Sequence, residues 1–286
     1  MKAKRFFQTV LVPVDGSHSC LRAEQLAAVI ASKFHSKVAV IHVVSHDFMH
    51  PELRASYQLP PLILKEIRNW YLKAGKKIIR TAEELFKEEN IHVDSRVIEH
   101  EDPAEIILEL VKKWGYDLVV MGNRTETHAE RFSLGNVSEK VALYAQCPVL
   151  IVKRKTKLSK LLVAIDGSKR AEKALEYAVE LAQKYKAKIT LMHVEEPKLL
   201  HLEPKVIGEV GERILSDAAA KIKGLEFDKR LEFGNAAQSI IRFARDEDYD
   251  LIVIGNRGLN SIKRFFLGSV SADVSMHAKC SVLIVR

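Results

Sequence analysis

Short apolar runs alternate along this chain with longer amphipathic segments. In the second half the runs are Leu161–Ile165, Lys188–Val194, Phe227–Leu231, Asp250–Ile254 and Cys280–Val285. They are brief and rich in Val, Ile and Leu, as strands buried on both faces are. The segments between them, at about Arg170–Tyr185, Pro204–Lys223, Ala236–Asp246 and Ser269–Ala278, have helical spacing. Ala174, Ala178, Leu181 and Ala182, for example, share one helix face. Regular strand–helix alternation predicts a parallel sheet with right-handed crossovers and helices on both faces.

The same pattern occurs twice. Val12-Pro13-Val14-Asp15-Gly16-Ser17 returns as Val163-Ala164-Ile165-Asp166-Gly167-Ser168, and Ile41-His42-Val43 as Met192-His193-Val194. Tyr116-Asp117-Leu118 through Gly122-Asn123-Arg124 returns as Tyr249-Asp250-Leu251 through Gly255-Asn256-Arg257. Arg131-Phe132 with Leu134-Gly135 returns as Arg264-Phe265 with Leu267-Gly268, and Cys147 with Val149–Val152 as Cys280 with Val282–Val285. The spacing shortens along the chain, so the first copy holds about 18 extra residues between His42 and Tyr116, with Ser45 to Pro61 the expected place. Self-similarity over this length predicts two tandem domains, residues 1–153 and 158–286.

Composition narrows the class. Hydrophobic residues make up 47% and charged residues 29%, a globular balance. No apolar stretch reaches the roughly 20 residues that span a bilayer, and the run after the basic start meets Asp15 and Gly16 too soon for a signal peptide. A cytoplasmic protein without a membrane partner is expected. Three cysteines, Cys20, Cys147 and Cys280, form no CxxC pair and read as small buried hydrophobes. The net charge of +8 favours anionic partners. Its densest cluster (Lys153, Arg154, Lys155, Lys157, Lys160) falls where a solvated linker is expected, and aromatics are too sparse to indicate nucleic acid.

Doubly wound sheets bind ligands beyond the carboxyl ends of their strands, where strand order reverses. In the second copy that rule points to Asp166-Gly167-Ser168 and Gly255-Asn256-Arg257-Gly258. Residues 255–269 read glycine, two residues, glycine, nine residues, then Gly268-Ser269. Glycines let backbone approach a ligand, and Gly268-Ser269 opens a helix whose free N–H groups and dipole favour phosphate. Ser269 is placed to cap that helix or to donate to a phosphate oxygen, and Arg257, Lys263 and Arg264 make the loop basic.

These residues carry a resemblance to the universal stress protein family, over essentially the whole chain and in tandem form. Its nucleotide-binding members show Gly-x2-Gly-x9-Gly-Ser/Thr, which residues 255–269 match at every defined position. The resemblance implies two tandem five-stranded parallel-sheet domains of doubly wound, flavodoxin/adenine-nucleotide-hydrolase-like class. It implies an adenine nucleotide, ATP or else AMP or ADP; were Mg to accompany it, Asp166 is the one obvious carboxylate in the sequence. Asp166 would meet the adenosine part and the backbone at Val194 the adenine edge, while Gly255, Arg257, Gly258, Gly268 and Ser269 would surround ribose and phosphates. Family members commonly dimerise through the last strand. An intrachain pseudo-dimer through Val149–Val152 and Val282–Val285 is therefore implied, with a homodimer as a further option. Ala164 departs from the family's frequent Pro, which Pro13 supplies in the first copy.

The first copy keeps Gly122 and Gly135 but has Thr125 for the second glycine and Asn136 for the serine. A β-branched residue is strained at φ > 0, and Asn136 retains only a capping role. Glu126 and Glu130 stand where Leu259 and Lys263 stand in the second copy, opposing a triphosphate. One bound triphosphate per chain is expected, with Asp15 still available to a nucleoside-like ligand.

Other constellations are weaker. There is no P-loop, dinucleotide fingerprint or G-x-S-x-G elbow, and Asp15, Ser17 and His18 are not a triad because Lys169 replaces His18 in the second copy. His42, His46 and His50 have helical metal spacing, but His42 ends a strand, leaving a zinc site on His46 or His50 with His100 as the alternative. No residue is placed as a water-positioning base, so no catalytic residue is assigned and slow ATPase or self-phosphorylation is the most the loop supports. The leading expectation is a nucleotide-binding stress-response regulator; a slow enzyme and a nucleotide-independent scaffold are the alternatives.

Overall fold

The computed structural model describes residues 6–45, 60–123, 135–154, 156–196, 204–258 and 267–286. The first half runs β1 (Thr9–Pro13), α1 (His18–Phe34), β2 (Lys37–Val44), α2 (Pro61–Glu88), β3 (Val93–Glu99), α3 (Pro103–Trp114), β4 (Leu118–Gly122), α4 (Asn136–Tyr144) and β5 (Val149–Val152). The second runs β6 (Lys160–Ala164), α5 (Lys169–Tyr185), β7 (Lys188–Glu195), α6 (Pro204–Ala219), β8 (Phe227–Phe233), α7 (Ala236–Asp246), β9 (Leu251–Gly255), α8 (Ser269–His277) and β10 (Ser281–Val285). Strand positions agree with the apolar runs to within two residues. The predicted helix from Pro204 ends at Ala219 rather than Lys223, because Lys221 and Ile222 bond three residues back in a tight turn before Gly224, whose φ is +67°.

Each half is a parallel sheet in the order 3-2-1-4-5, which refines the flavodoxin-like expectation: the reversal lies between its first and fourth strands. The halves join through β5 and β10, which pair antiparallel with Leu150 opposite Leu283, so all ten strands form one sheet. That pairing has a directional consequence. The carboxyl ends of one half's strands lie at the sheet edge where the other half's strands begin, so the two reversal points open in opposite directions.

Side chains alternate between the faces with period two. Val10 and Val12 join one core, Leu11 the other; Leu251 and Val253 join the first, Ile252 and Ile254 the second. Both cores contain residues of both halves. On one face Phe6 and Phe7 set their rings edge-on to Tyr177 at 4.9 and 5.3 Å, and the Tyr185 hydroxyl donates to the Val29 carbonyl at 2.9 Å.

Part of the extra length of the first half is helix. Helix α2 has 28 residues against 16 in α6. Gly75 and Gly211 mark equivalent points, each lying against the strand-two histidine; α2 begins fourteen residues before its glycine and α6 seven before its own. Two turns of helix thus belong to the insertion, beyond Ser45 to Pro61. Residues 46–59, where the rest was expected, lie outside the described residues.

Candidate functional site

The turn after the first strand is built alike in both halves. Asp166 Oδ1 accepts from Ser168 N at 3.0 Å, Gly167 takes φ +78°, and Ser168 Oγ accepts from Ala171 N at 3.1 Å as the N-cap of α5. In the first half Asp15 Oδ1 accepts from Ser17 N at 2.9 Å, Gly16 takes φ +79°, and Ser17 Oγ accepts from Cys20 N at 3.2 Å. A side-chain oxygen mimicking a turn, a glycine at positive φ and a serine cap are the local means of turning strand into helix. Asp, Gly and Ser at these positions therefore have structural work in either half.

The strand-two histidines hold the same turn from beside it. His193 Nδ1 bonds the Ile165 carbonyl at 2.6 Å, and His42 Nδ1 the Val14 carbonyl at 2.7 Å. Only the second half adds an acid: His193 Nε2 lies 3.0 Å from Glu195 Oε1, both side chains buried, where the first half has Val44. Val194, between them in sequence, is partly buried against the core at the end of β7.

The glycines divide into two kinds. A Cβ on Gly255 would lie 2.9 Å from the Arg170 carbonyl carbon, and one on Gly122 2.8 Å from the Ser19 backbone. Both admit the first turn of a helix onto the sheet and would be needed without any ligand. Gly258 is different: a Cβ there would lie 2.6 Å from Asp166 Oδ2. Gly268 closes the loop by donating its N–H to the Asn256 carbonyl at 2.8 Å, as Gly135 does to Asn123.

Gly268 and Gly135 are the N-caps of α8 and α4, and among the described residues neither helix has a side-chain cap. The expectation that Ser269 or Asn136 caps is thus corrected: each is the first helical residue, one position too late, and is exposed. Ser271 and Ser138 instead anchor the helices, donating to the Gly255 and Gly122 carbonyls at 2.7 and 2.8 Å. Lys263, Arg264, Thr125, Glu126 and Glu130 lie outside the described residues, as do His46 and His50 of the zinc alternative. Among the described residues no group of three His, Cys, Asp or Glu is gathered as for a metal.

Two basic residues were misread or missed. Lys153, assigned to a solvated linker, is 5% exposed; its ammonium donates to the Met276 carbonyl at 3.3 Å and to that of Ala278, at the carboxyl end of α8. Arg286, its counterpart after β10, donates to the Ala142 carbonyl near the carboxyl end of α4. Each half thus sends a cation to the negative end of the other's last helix. Burial lowers the Lys153 pKa to about 8. Burial also lowers that of Arg286 to about 10, assisted by Arg257 and Arg170 nearby. Positive charge is therefore concentrated beside the second half's loop. The sequence signal was the matched pair itself, a cation ending both last strands. Close by, Asn256 Oδ1 is buried without a hydrogen-bond partner among the described residues.

The three cysteines are buried and unbridged, and burial pushes the Cys147 thiol to about 12 and that of Cys20 upward, in keeping with a packing role. No described helix is long and apolar enough to cross a membrane.

Comparison with known proteins agrees with the repeat. A model of the universal stress protein family matches twice, at residues 6–153 and 157–286. A universal stress protein of Bacillus subtilis is 36% identical over 146 residues, 45% of this chain and 99% of its own length. One from Methanocaldococcus jannaschii is 32% identical over 155 residues, 54% of this chain and 86% of its own. A crystal structure of a universal stress protein from Archaeoglobus fulgidus superposes with a TM-score of 0.74 at 20% identity, covering 99% of this chain and 98% of that one, a likeness of fold. With both halves matched and joined in one α/β sheet, the chain belongs to the universal stress protein family as a tandem of two of its domains.

Proposed function

We propose that the chain is an adenine-nucleotide-binding stress-response regulator with one functional site, in the second half. The observation that carries this reading is the approach of Gly258 to Asp166: any side chain at 258 would displace a carboxylate at the reversal of strand order. The surroundings suit the implied ligand. Among the described residues the first-turn N–H groups of α8 have no side-chain cap, Ser269 is exposed beside them, and Arg170, Arg257 and Arg286 supply positive charge. Asp166 and the Val194 backbone would take the adenosine, and Gly258, Gly268 and Ser269 the phosphates of ATP, with AMP or ADP as alternatives and Mg as a companion. Gly255 would contribute by admitting α5. In the first half Thr125 stands where Gly258 stands, and that site would bind triphosphate weakly or not at all.

The two halves, divided between Lys153 and Leu158, would act as an intrachain pseudo-dimer, for which the antiparallel β5–β10 pairing is the support.

The test is to purify the protein, denature it, identify released nucleotide by mass spectrometry and measure stoichiometry by titration. One adenine nucleotide per chain is expected, bound at least about tenfold more weakly after Gly258→Thr; two per chain, or none, overturns the reading. Accumulation of ADP from added ATP would convert the binder into a slow enzyme. Absence of binding together with absence of thermal stabilisation by Mg-ATP would leave a scaffold.

A further inference from the structure

Among the described residues, nothing buries the beginning of the longer helix of the first half. The buried residues of α2 are Gly75, Ile79, Ala82 and Phe86, all in its second half. None of its first fourteen residues is buried, yet they include Leu62 at 66% and Trp70 at 65% exposure, with Ile63 and Tyr71 also exposed. Ile63 and Trp70 are seven apart and Leu62 and Trp70 eight, so the three share one flank of the helix. Between Lys65 and Arg80 six basic residues and one acid, Glu66, are exposed. Arg68 among them is paired with Glu99 at 2.6 Å. The equivalent helix of the second half has the opposite character. Among its described residues the exposed charges are Glu209, Glu212, Asp217 and Arg213, and it has no tryptophan.

We propose that residues 61–80 of α2 form a docking face for the surface of an anionic phospholipid bilayer. Exposed aliphatic residues and a tryptophan beside lysines are the composition of a helix lying in a membrane interface: the apolar groups enter the acyl boundary and the ammoniums meet headgroup phosphates. Charge separates this partner from the others. A second copy would bring the same basic face against itself, which like charges oppose. Single-stranded nucleic acid uses aromatic faces as stacking platforms, whereas Trp70 and Tyr71 pack edge-on at 5.0 Å and Leu62 and Ile63 would have no role. The sequence expectation of no membrane partner rested on the lack of a spanning stretch, and surface docking needs none. The inference is independent of nucleotide binding.

The chain has two tryptophans, so Trp114→Phe in the full-length protein leaves Trp70 as the only indole reporter. Vesicles of mixed phosphatidylcholine and phosphatidylglycerol should shift its emission to the blue and carry the protein into the pellet, while pure phosphatidylcholine should do neither. Lys73→Glu with Lys77→Glu should lower partitioning at least about twentyfold, from about fivefold per lysine near an anionic surface. Leu62→Gln with Ile63→Gln should lower it about tenfold. All four positions are exposed, and an unchanged melting temperature would show that the fold is kept. No shift and no pelleting would overturn the proposal, as would equal binding to uncharged vesicles. A concentration-dependent blue shift without vesicles would assign the face to self-association, and tighter binding to a single-stranded RNA at the same salt would assign it to nucleic acid; either overturns it.

Discussion

Under the first turn of each half the chain does the same things at the same places. Asp15 and Asp166 bend the backbone, Ser17 and Ser168 cap the helix, His42 and His193 brace the turn, and Gly122 and Gly255 admit the helix to the sheet. Above that level the halves part. Gly258 covers Asp166 where the first half has Thr125, Glu195 backs the second histidine where Val44 stands beside the first, and a basic helix overhangs only the first half. The comparison teaches where to look for a ligand: residues that both halves keep serve the fold and are poor indicators, whereas those that only one half keeps are the ones to test.

The strongest way to break the comparison is at the shared glycines. Gly122→Val and Gly255→Val each place a Cβ under 3 Å from helix backbone, so each should cost about 3 kcal/mol or more. Urea unfolding should find the two losses similar; a mild effect at either would show that the packing reading is mistaken there.

Next in size is Lys153. Its folded pKa of about 8 lies below the ordinary 10.5, so the unfolded chain binds more protons between these values and stability should rise as pH passes from about 8 to 10.5. The full span amounts to roughly 3 kcal/mol. Lys153→Met should flatten this rise in thermal unfolding curves, and an unchanged pH profile would remove the lysine from the account.

Gly258→Thr copies the first half onto the second. It should weaken adenine nucleotide binding at least about tenfold, roughly 1.4 kcal/mol, while leaving the ligand-free melting temperature nearly unchanged. Isothermal titration decides it, and retained affinity would detach the Gly258–Asp166 contact from binding. Smallest are the caps: Ser17→Ala and Ser168→Ala should each cost about 1 kcal/mol. Unequal costs by calorimetry would show that the two turns are not the same device.

Strand and helix positions were legible because buried parallel strands write unbroken apolar runs and the repeat checked each reading twice. The Asp166 turn and the loop were legible because turn chemistry is local. What escaped depends on contacts distant in sequence. Lys153 looked like linker charge because the α8 carbonyls it meets become neighbours only when β5 and β10 pair. The division of glycines into packing and covering kinds needed the backbone of Arg170 and the carboxylate of Asp166 in place. The extra turns of α2 were not placed because no buried stripe marks them.

The antiparallel seam has one further consequence. Joining two protomers by a short tether makes their meeting intramolecular, at an effective concentration that dilution cannot lower. A two-chain assembly reports on its own abundance, since fewer copies mean more separate subunits. Here β5 and β10 meet within one chain however scarce the protein is. Fusion therefore removes copy number as a condition for forming this seam.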